Sequence, residues 1–264
     1  MFPQYASRAR FEIGRVLSTA LGMIGANFWR LYGALLAVWV AMTVVQYAVR
    51  LGMSGYLAGP IAGPAFVIFS ICTVVATLAQ YVFSITVVVY AQLAHVREER
   101  PDLKECLRQG LVLLLPATGL MTLMALGLMA AYVVFLIPAI ILSLVWAVAV
   151  PTLVAERKGV FKAFARSADL TRDNRLAIFA VNLVVGVCNL VAVGVYFILF
   201  GVTAATAAKG LGSTLNTAAL VGIALVSSAI TVAMIIANAS VAPAVYVELT
   251  RTRTGVAGVA SVFD

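Results

Sequence analysis

The chain has 264 residues, 63% of them hydrophobic and 11% charged, with a mean hydropathy of +1.07 and a formal net charge of +8. A soluble domain needs more polar surface than this composition supplies, so most of the chain must take hydrocarbon as its solvent. The basic excess fits membrane topology and anionic headgroups rather than nucleic acid, and three cysteines, an odd number, imply no disulfide framework.

A basic segment at 11–28 comes first. Phe11, Val16, Leu17, Leu21, Ile24 and Phe28 form an apolar stripe with Arg8, Arg10 and Arg15 around it, the pattern of a helix lying along the headgroup boundary. Six apolar runs follow at 31–49, 65–94, 111–132, 135–155, 176–200 and 217–242. Each is near the ~20 residues a helix needs to cross ~30 Å of hydrocarbon. Backbone groups in lipid must bond within their own segment, so the predicted class is all-α. The expected architecture is one membrane domain over 1–264, with six transmembrane helices and short amphipathic helices on one side.

The first run is too long for the apolar core of a signal peptide and Arg50 follows it directly, so it is expected to remain as a helix. Residues 111–155 carry no charge and are too long for one crossing. A tight turn between Tyr132 and Pro138 is therefore predicted, with Pro138 in the first turn of the returning helix.

Sixteen of the eighteen Lys and Arg residues, and all ten Asp and Glu, then fall in alternate connections, leaving Arg50 and Lys209 on the other side. The positive-inside bias predicts that both termini and two loops are cytoplasmic. Three units share one order: a basic amphipathic segment (11–28, 102–109 or 160–172), an outgoing span, a short connection and an incoming span. In the third, Val160, Phe161, Phe164 and Ala168 share a face, while Lys162, Arg166, Asp169 and Arg172 fall largely elsewhere. Pro151 and Glu156, and again Pro243 and Glu248, stand five residues apart at the ends of incoming spans. Chance similarity at membrane ends and internal duplication into three pseudo-repeated hairpins both accommodate this.

Two candidate sites follow. The basic residues Arg157, Lys158, Lys162, Arg166, Arg172 and Arg175 form a candidate surface for lipid headgroups. Inside the spans, Thr73, Thr77, Gln80 and Ser84 share one helical face, with Asn182 and Asn189 (alongside Gly186, Val193 and Tyr196) in the fifth span and, more loosely spaced, Ser227, Thr231 and Asn238 in the sixth. Such groups either line a polar cavity or join helices by hydrogen bonds worth about 0.6 to 2 kcal/mol each, and the second role is the commoner one.

None of the six runs contains Asp, Glu, Lys, Arg or His, so proton-coupled pumping is not expected. The single histidine, His95, sits at a membrane edge, and no cluster has the spacing of a metal site. Neither catalysis nor a cofactor is expected. Glu98, Glu99, Asp102 and Glu105 alternate with Arg97, Arg100, Lys104 and Arg108, as on a solvated, salt-bridged helix.

The stretch from Val150-Pro151-Thr152-Leu153-Val154-Ala155-Glu156 through Gly159 to Ala163-Phe164-Ala165-Arg166-Ser167-Ala168-Asp169-Leu170-Thr171-Arg172 and Asn174 resembles the membrane domain of glycerophosphoryl diester phosphodiesterases. Phe11-Glu12-Ile13-Gly14-Arg15-Val16-Leu17 and Tyr246-Val247-Glu248-Leu249-Thr250-Arg251 with Gly255 resemble it too. The resemblance implies a six-helix domain of the bacterial inner membrane. It does not bring hydrolysis, which in that family belongs to a separate barrel domain with His and acidic metal ligands. The family usually has Gly where Asp173 stands, leaving Asn174 as the residue expected to turn left-handed and end the helix.

The sequence thus predicts a non-catalytic membrane protein whose basic face engages anionic lipid, a protein partner or a second copy. A transporter or lipid translocator using the neutral polar faces of spans two, five and six is the alternative.

Overall fold

The computed structural model describes residues 11–52, 62–97, 102–208 and 213–254. These residues form helices and no strand: α1 (Ile13–Gly52), α2 (Ala62–Val96), α3 (Leu103–Val112), α4 (Leu114–Val134), α5 (Leu136–Val145), α6 (Ala149–Glu156), α7 (Val160–Thr171), α8 (Arg175–Ala208) and α9 (Ser213–Thr254). Six stretches are long and apolar enough to cross a membrane: Phe28–Gln46, Val67–Val96, Leu114–Val134, Leu136–Glu156, Arg175–Gly194 and Leu225–Arg253.

Proline placement explains the helix boundaries. A proline donates no N–H and its ring crowds the carbonyl four residues back, yet it is well accommodated in a helix's first turn. Pro116, Pro138 and Pro151 are each the third residue of a helix, α4, α5 and α6. The residues four earlier are the last of α3 (Val112), the last of α4 (Val134), and Ala147 in the gap between α5 and α6. Pro243 differs, lying inside α9 without ending it.

The predicted tight turn consists of one residue. Phe135 is extended (φ −173°, ψ 158°) between α4 and α5. The chain reverses there, because a Cβ on Gly127, eight residues before Phe135, would lie 2.5 Å from the Trp146 ring and 3.8 Å from Leu142, both after it. Gly127 thus lets α5 and the Trp146 indole lie directly on α4.

Two features differ from the sequence expectation. No break separates the 11–28 segment from the first span: α1 runs for 40 residues, about 60 Å at ~1.5 Å per residue. Its buried face is Val16, Ala20, Met23, Leu31 and Leu35, whereas Leu21, assigned to the apolar stripe, is 69% exposed. The face turned because α1 packs along α9, its most extensive partner, rather than only along a membrane surface. Secondly, the fourth run is not one helix. It unwinds at residues 146–148, where Pro151 withholds the N–H that Ala147 would need.

The main core joins α1 (Leu31, Leu35), α2 (Val87, Val88, Leu93), α8 (Ile178, Val181) and α9 (Val232, Ile236, Leu249). A smaller cluster of Val82, Ala117, Leu120, Ala149, Leu153 and Ala163 joins α2, α4, α6 and α7. Both sit toward the end of the bundle that carries α3, α6 and α7, while the far halves of α2 and α8 expose Ile68, Val75, Leu190 and Phe197. In hydrocarbon there is no water to expel, so dispersion contacts and interhelical hydrogen bonds hold such a bundle.

The three units keep the predicted order, but their junctions differ. The amphipathic segment continues into the span in α1, kinks at Leu113 between α3 and α4, and stops at residues 172–174 between α7 and α8.

Candidate functional site

The charged end is built around the α6–α7 turn. α6 ends at Glu156; Arg157 then takes a left-handed conformation (φ 50°, ψ 25°) and Gly159 a positive φ of 91°. Among the described residues Arg157 is the one non-glycine residue with positive φ, so the left-handed position lies here and not at Asn174. Asn174 instead bonds its N–H to the Thr171 carbonyl at 3.2 Å. The tight reversal lays α7 back against α6.

That reversal lets α7 repair the broken span. Ser167 Oγ, fully buried, donates to the Val145 carbonyl at 2.8 Å, and Thr171 Oγ1 reaches the same oxygen at 3.5 Å. Val145 is the last residue of α5, so its carbonyl lacks a helical partner. Phe164 adds a ring contact to Trp146 in the gap, 4.9 Å between centroids. The buried face of α7 is accordingly Ala163, Ser167, Leu170 and Thr171. Phe161, predicted for the apolar face, is 80% exposed.

The six basic candidates divide into two groups. Glu156, with a side chain only 9% exposed, accepts from Arg166 Nε at 3.1 Å and from Lys158 Nζ at 3.3 Å. Arg166 also reaches Asp169 at 3.3 Å, and Asp169 receives Arg253 from the end of α9 at 2.7 Å. The Arg253 guanidinium, seconded by Arg166, holds the Asp169 carboxyl below its usual range. Arg157 donates to Gln109 Oε1 at 3.0 Å, and Gln109 donates in turn to Glu105 at 2.6 Å. Arg108 makes two 2.8 Å bonds to Glu105; with Gln109 it lowers that carboxyl to about 2.

Arg157, Lys158 and Arg166 therefore each have an acceptor within the protein, although Arg157 and Lys158 are themselves exposed. Lys162, Arg172 and Arg175 are exposed and form no ion pair with a described residue. Beside them stand Phe161 and Leu176, 80% and 86% exposed. Of the acidic and basic alternation at 97–108, residues 98–100 lie outside the described residues.

The intramembrane polar residues do not converge. Thr73, Thr77 and Ser84 donate to the carbonyls of Phe69, Thr73 and Gln80, four residues back in α2. Their face meets α1, where Trp39 Nε1 donates to Ser84 at 3.0 Å and Gln46 reaches Thr77 at 3.5 Å. Gln80 belongs to the same face; its Nε2 is buried without a hydrogen-bond partner among the described residues. Asn189 and Asn238 exchange bonds of 2.6 and 2.9 Å between α8 and α9, whereas Asn182 is exposed. The Tyr196 side chain lies outside the described residues. A buried pair the sequence reading missed, Gln92 to Ser240 at 2.9 Å, ties α2 to α9; Gln92 near the end of the second apolar run was the available signal.

A cavity of about 540 Å³ opens where the fourth span unwinds. It is lined by Trp146 and Ala147 at the break, by Met121 and Met124 of α4, by Tyr81 of α2, and by Met234 and Asn238 of α9. Of the predicted polar faces, Thr231 and Asn238 of the sixth span line it, with Val193 of the fifth beside them.

A bundle of apolar helices long enough for six crossings, with its ion pairs gathered at one end, defines a multi-pass integral membrane protein. The chain belongs to the family described as the membrane domain of glycerophosphoryl diester phosphodiesterase, which it matches over residues 119–253, just over half its length. That match covers α5 to α8 and most of α4 and α9, and so includes the broken span and the α6–α7 turn. No curated protein and no solved structure matches the chain.

Proposed function

We propose that this protein is a non-catalytic module of the bacterial inner membrane, with both termini cytoplasmic, whose basic rim engages anionic lipid headgroups. One observation carries the reading: Lys162, Arg172 and Arg175 are exposed and form no ion pair with a described residue, while their basic neighbours are bonded to Glu156, Asp169 and Gln109. Exposed Phe161 and Leu176 next to these cations supply the apolar half of an interfacial anchor. Each basic group near an anionic surface contributes about 1 kcal/mol, so the three together favour anionic over neutral headgroups by roughly two orders of magnitude.

The test is thermal unfolding of the detergent-solubilised chain with added phosphatidylglycerol or phosphatidylcholine. Phosphatidylglycerol should raise the midpoint more, and the combined variant Lys162→Glu, Arg172→Glu, Arg175→Glu should abolish that difference while unfolding unchanged in phosphatidylcholine. An undiminished response in the triple variant would contradict the rim's role. A second reading, lipid translocation, is favoured by the cavity at the break in the fourth span and by Asn238 in its wall.

A further inference from the structure

We infer that the cavity at residues 146–148 is a binding site for one acyl chain of a membrane glycerolipid. Its volume of about 540 Å³ falls within the roughly 300–1,000 Å³ usual for ligand sites. Its lining is mostly apolar, and three of its five polar side chains are already engaged: Ser143 donates to the Ile140 carbonyl at 2.7 Å, Thr231 to the Ser227 carbonyl at 2.7 Å, and Asn238 is bonded to Asn189, which leaves the Tyr81 hydroxyl and the Trp146 N–H. Water requires two to four polar partners and finds few here. An apolar chain requires none.

The route of entry identifies the occupant. Tyr81, Val193 and Asn238 line the cavity and are exposed, and all three lie within candidate membrane spans. The mouth is therefore continuous with the apolar surface that faces the bilayer, and hydrocarbon is the medium that reaches it. Met121, Met124 and Met234 supply unbranched, adaptable walls suited to a flexible chain. α7 holds the site's shape from behind, through Ser167 on the Val145 carbonyl and Phe164 on the Trp146 ring.

The inference goes beyond the basic rim, and a zwitterionic probe keeps the two apart. In the full chain carrying Trp29→Phe and Trp39→Phe, Trp146 is the sole indole. Phosphatidylcholine brominated along one acyl chain is titrated into this protein in detergent. Trp146 emission should fall and saturate at one lipid per chain, with recovery on adding unbrominated phosphatidylcholine. Ala147→Phe and Ala242→Phe, which fill the cavity from the break in the fourth span and from α9, should weaken the quenching at least tenfold with helicity and elution unchanged.

Quenching that climbs without saturation would overturn the inference, as would saturable quenching equally strong in both filled variants. Saturation at one lipid per two chains would assign the cavity to a contact between copies and also overturn it. Should a filled variant not fold, the stoichiometry and competition in the unfilled protein decide alone. Failure of the headgroup test leaves this titration unaffected, since phosphatidylcholine carries no net charge.

Discussion

Ser167 donates its hydroxyl to the Val145 carbonyl across 22 residues, at 2.8 Å, and so closes the one gap in the fourth span from a helix that follows it in the chain. Ser167 is fully buried and the bond part-buried, so removing the donor leaves a carbonyl without its partner. Ser167→Ala should destabilise the protein by about 1–3 kcal/mol. Thr171, at 3.5 Å from the same oxygen, replaces only part of the bond, and the double variant with Thr171→Ala should be worse still. Thermal unfolding in detergent measures both; a neutral Ser167→Ala would show that the bond does not support the break.

Gly127 and Gly119 sit on the same helix in opposite circumstances. A Cβ at Gly127 would meet the Trp146 ring at 2.5 Å, while one at Gly119 finds its nearest neighbour, Val160, at 4.0 Å. Gly127→Ala should cost about 1–3 kcal/mol through overpacking against a rigid ring. Gly119→Ala should be neutral or gain roughly 0.5–1 kcal/mol from reduced backbone entropy. Equal effects in the two variants would contradict the hairpin packing of α4 on α5.

Arg166 secures the α6–α7 turn through a carboxylate that is only 9% exposed. Arg166→Ala leaves Glu156 with the more exposed Lys158, at a cost of about 1–3 kcal/mol. Lys162→Ala, at an exposed position without an ion pair to a described residue, should stay within about 0.5 kcal/mol of the parent. Comparing the two unfolding midpoints in a neutral detergent separates the inward-facing basic residues from the outward-facing ones.

Acid should loosen α3. Glu105 has its carboxyl lowered from 4.5 to about 2 by Arg108 and Gln109, so its folded pKa lies below its unfolded one. The sign follows from linkage: the stabilisation is fully present above pH 4.5 and is lost as the pH falls through about 2. Amide exchange in α3, corrected for intrinsic rate, should accelerate across that window. In Glu105→Gln the acceleration should disappear; its persistence would point to another carboxylate.

Much of the fold was legible because lipid imposes few choices. Run length and the absence of charge set the six crossings, and Pro138 placed the turn now seen at Phe135. The break at 146–148 was less legible, although Pro151 stands just after it. Pro243 lies inside α9 without breaking it, so proline alone does not decide; at 146–148, α7 is present to take the Val145 carbonyl left at the end of α5. Face assignments for Leu21 and Phe161 missed for a related reason. Helical period says which residues share a side, but the partner that covers a side, α9 or α6, is a tertiary fact. The basic residues could be counted from sequence, while their division into paired and exposed depended on where Glu156, Asp169 and Gln109 came to lie.

The account depends most on an even number of crossings with the ionic groups on one side. Single cysteines placed by Ser7→Cys, Ser54→Cys, Lys158→Cys or Gly212→Cys, in a chain with Cys72, Cys106 and Cys188 replaced, can be probed in bacterial cells with a membrane-impermeant maleimide. Positions 54 and 212 should label in intact cells, and positions 7 and 158 only after the inner membrane is permeabilised. Labelling of positions 7 and 158 from opposite faces would contradict the topology and everything built on it.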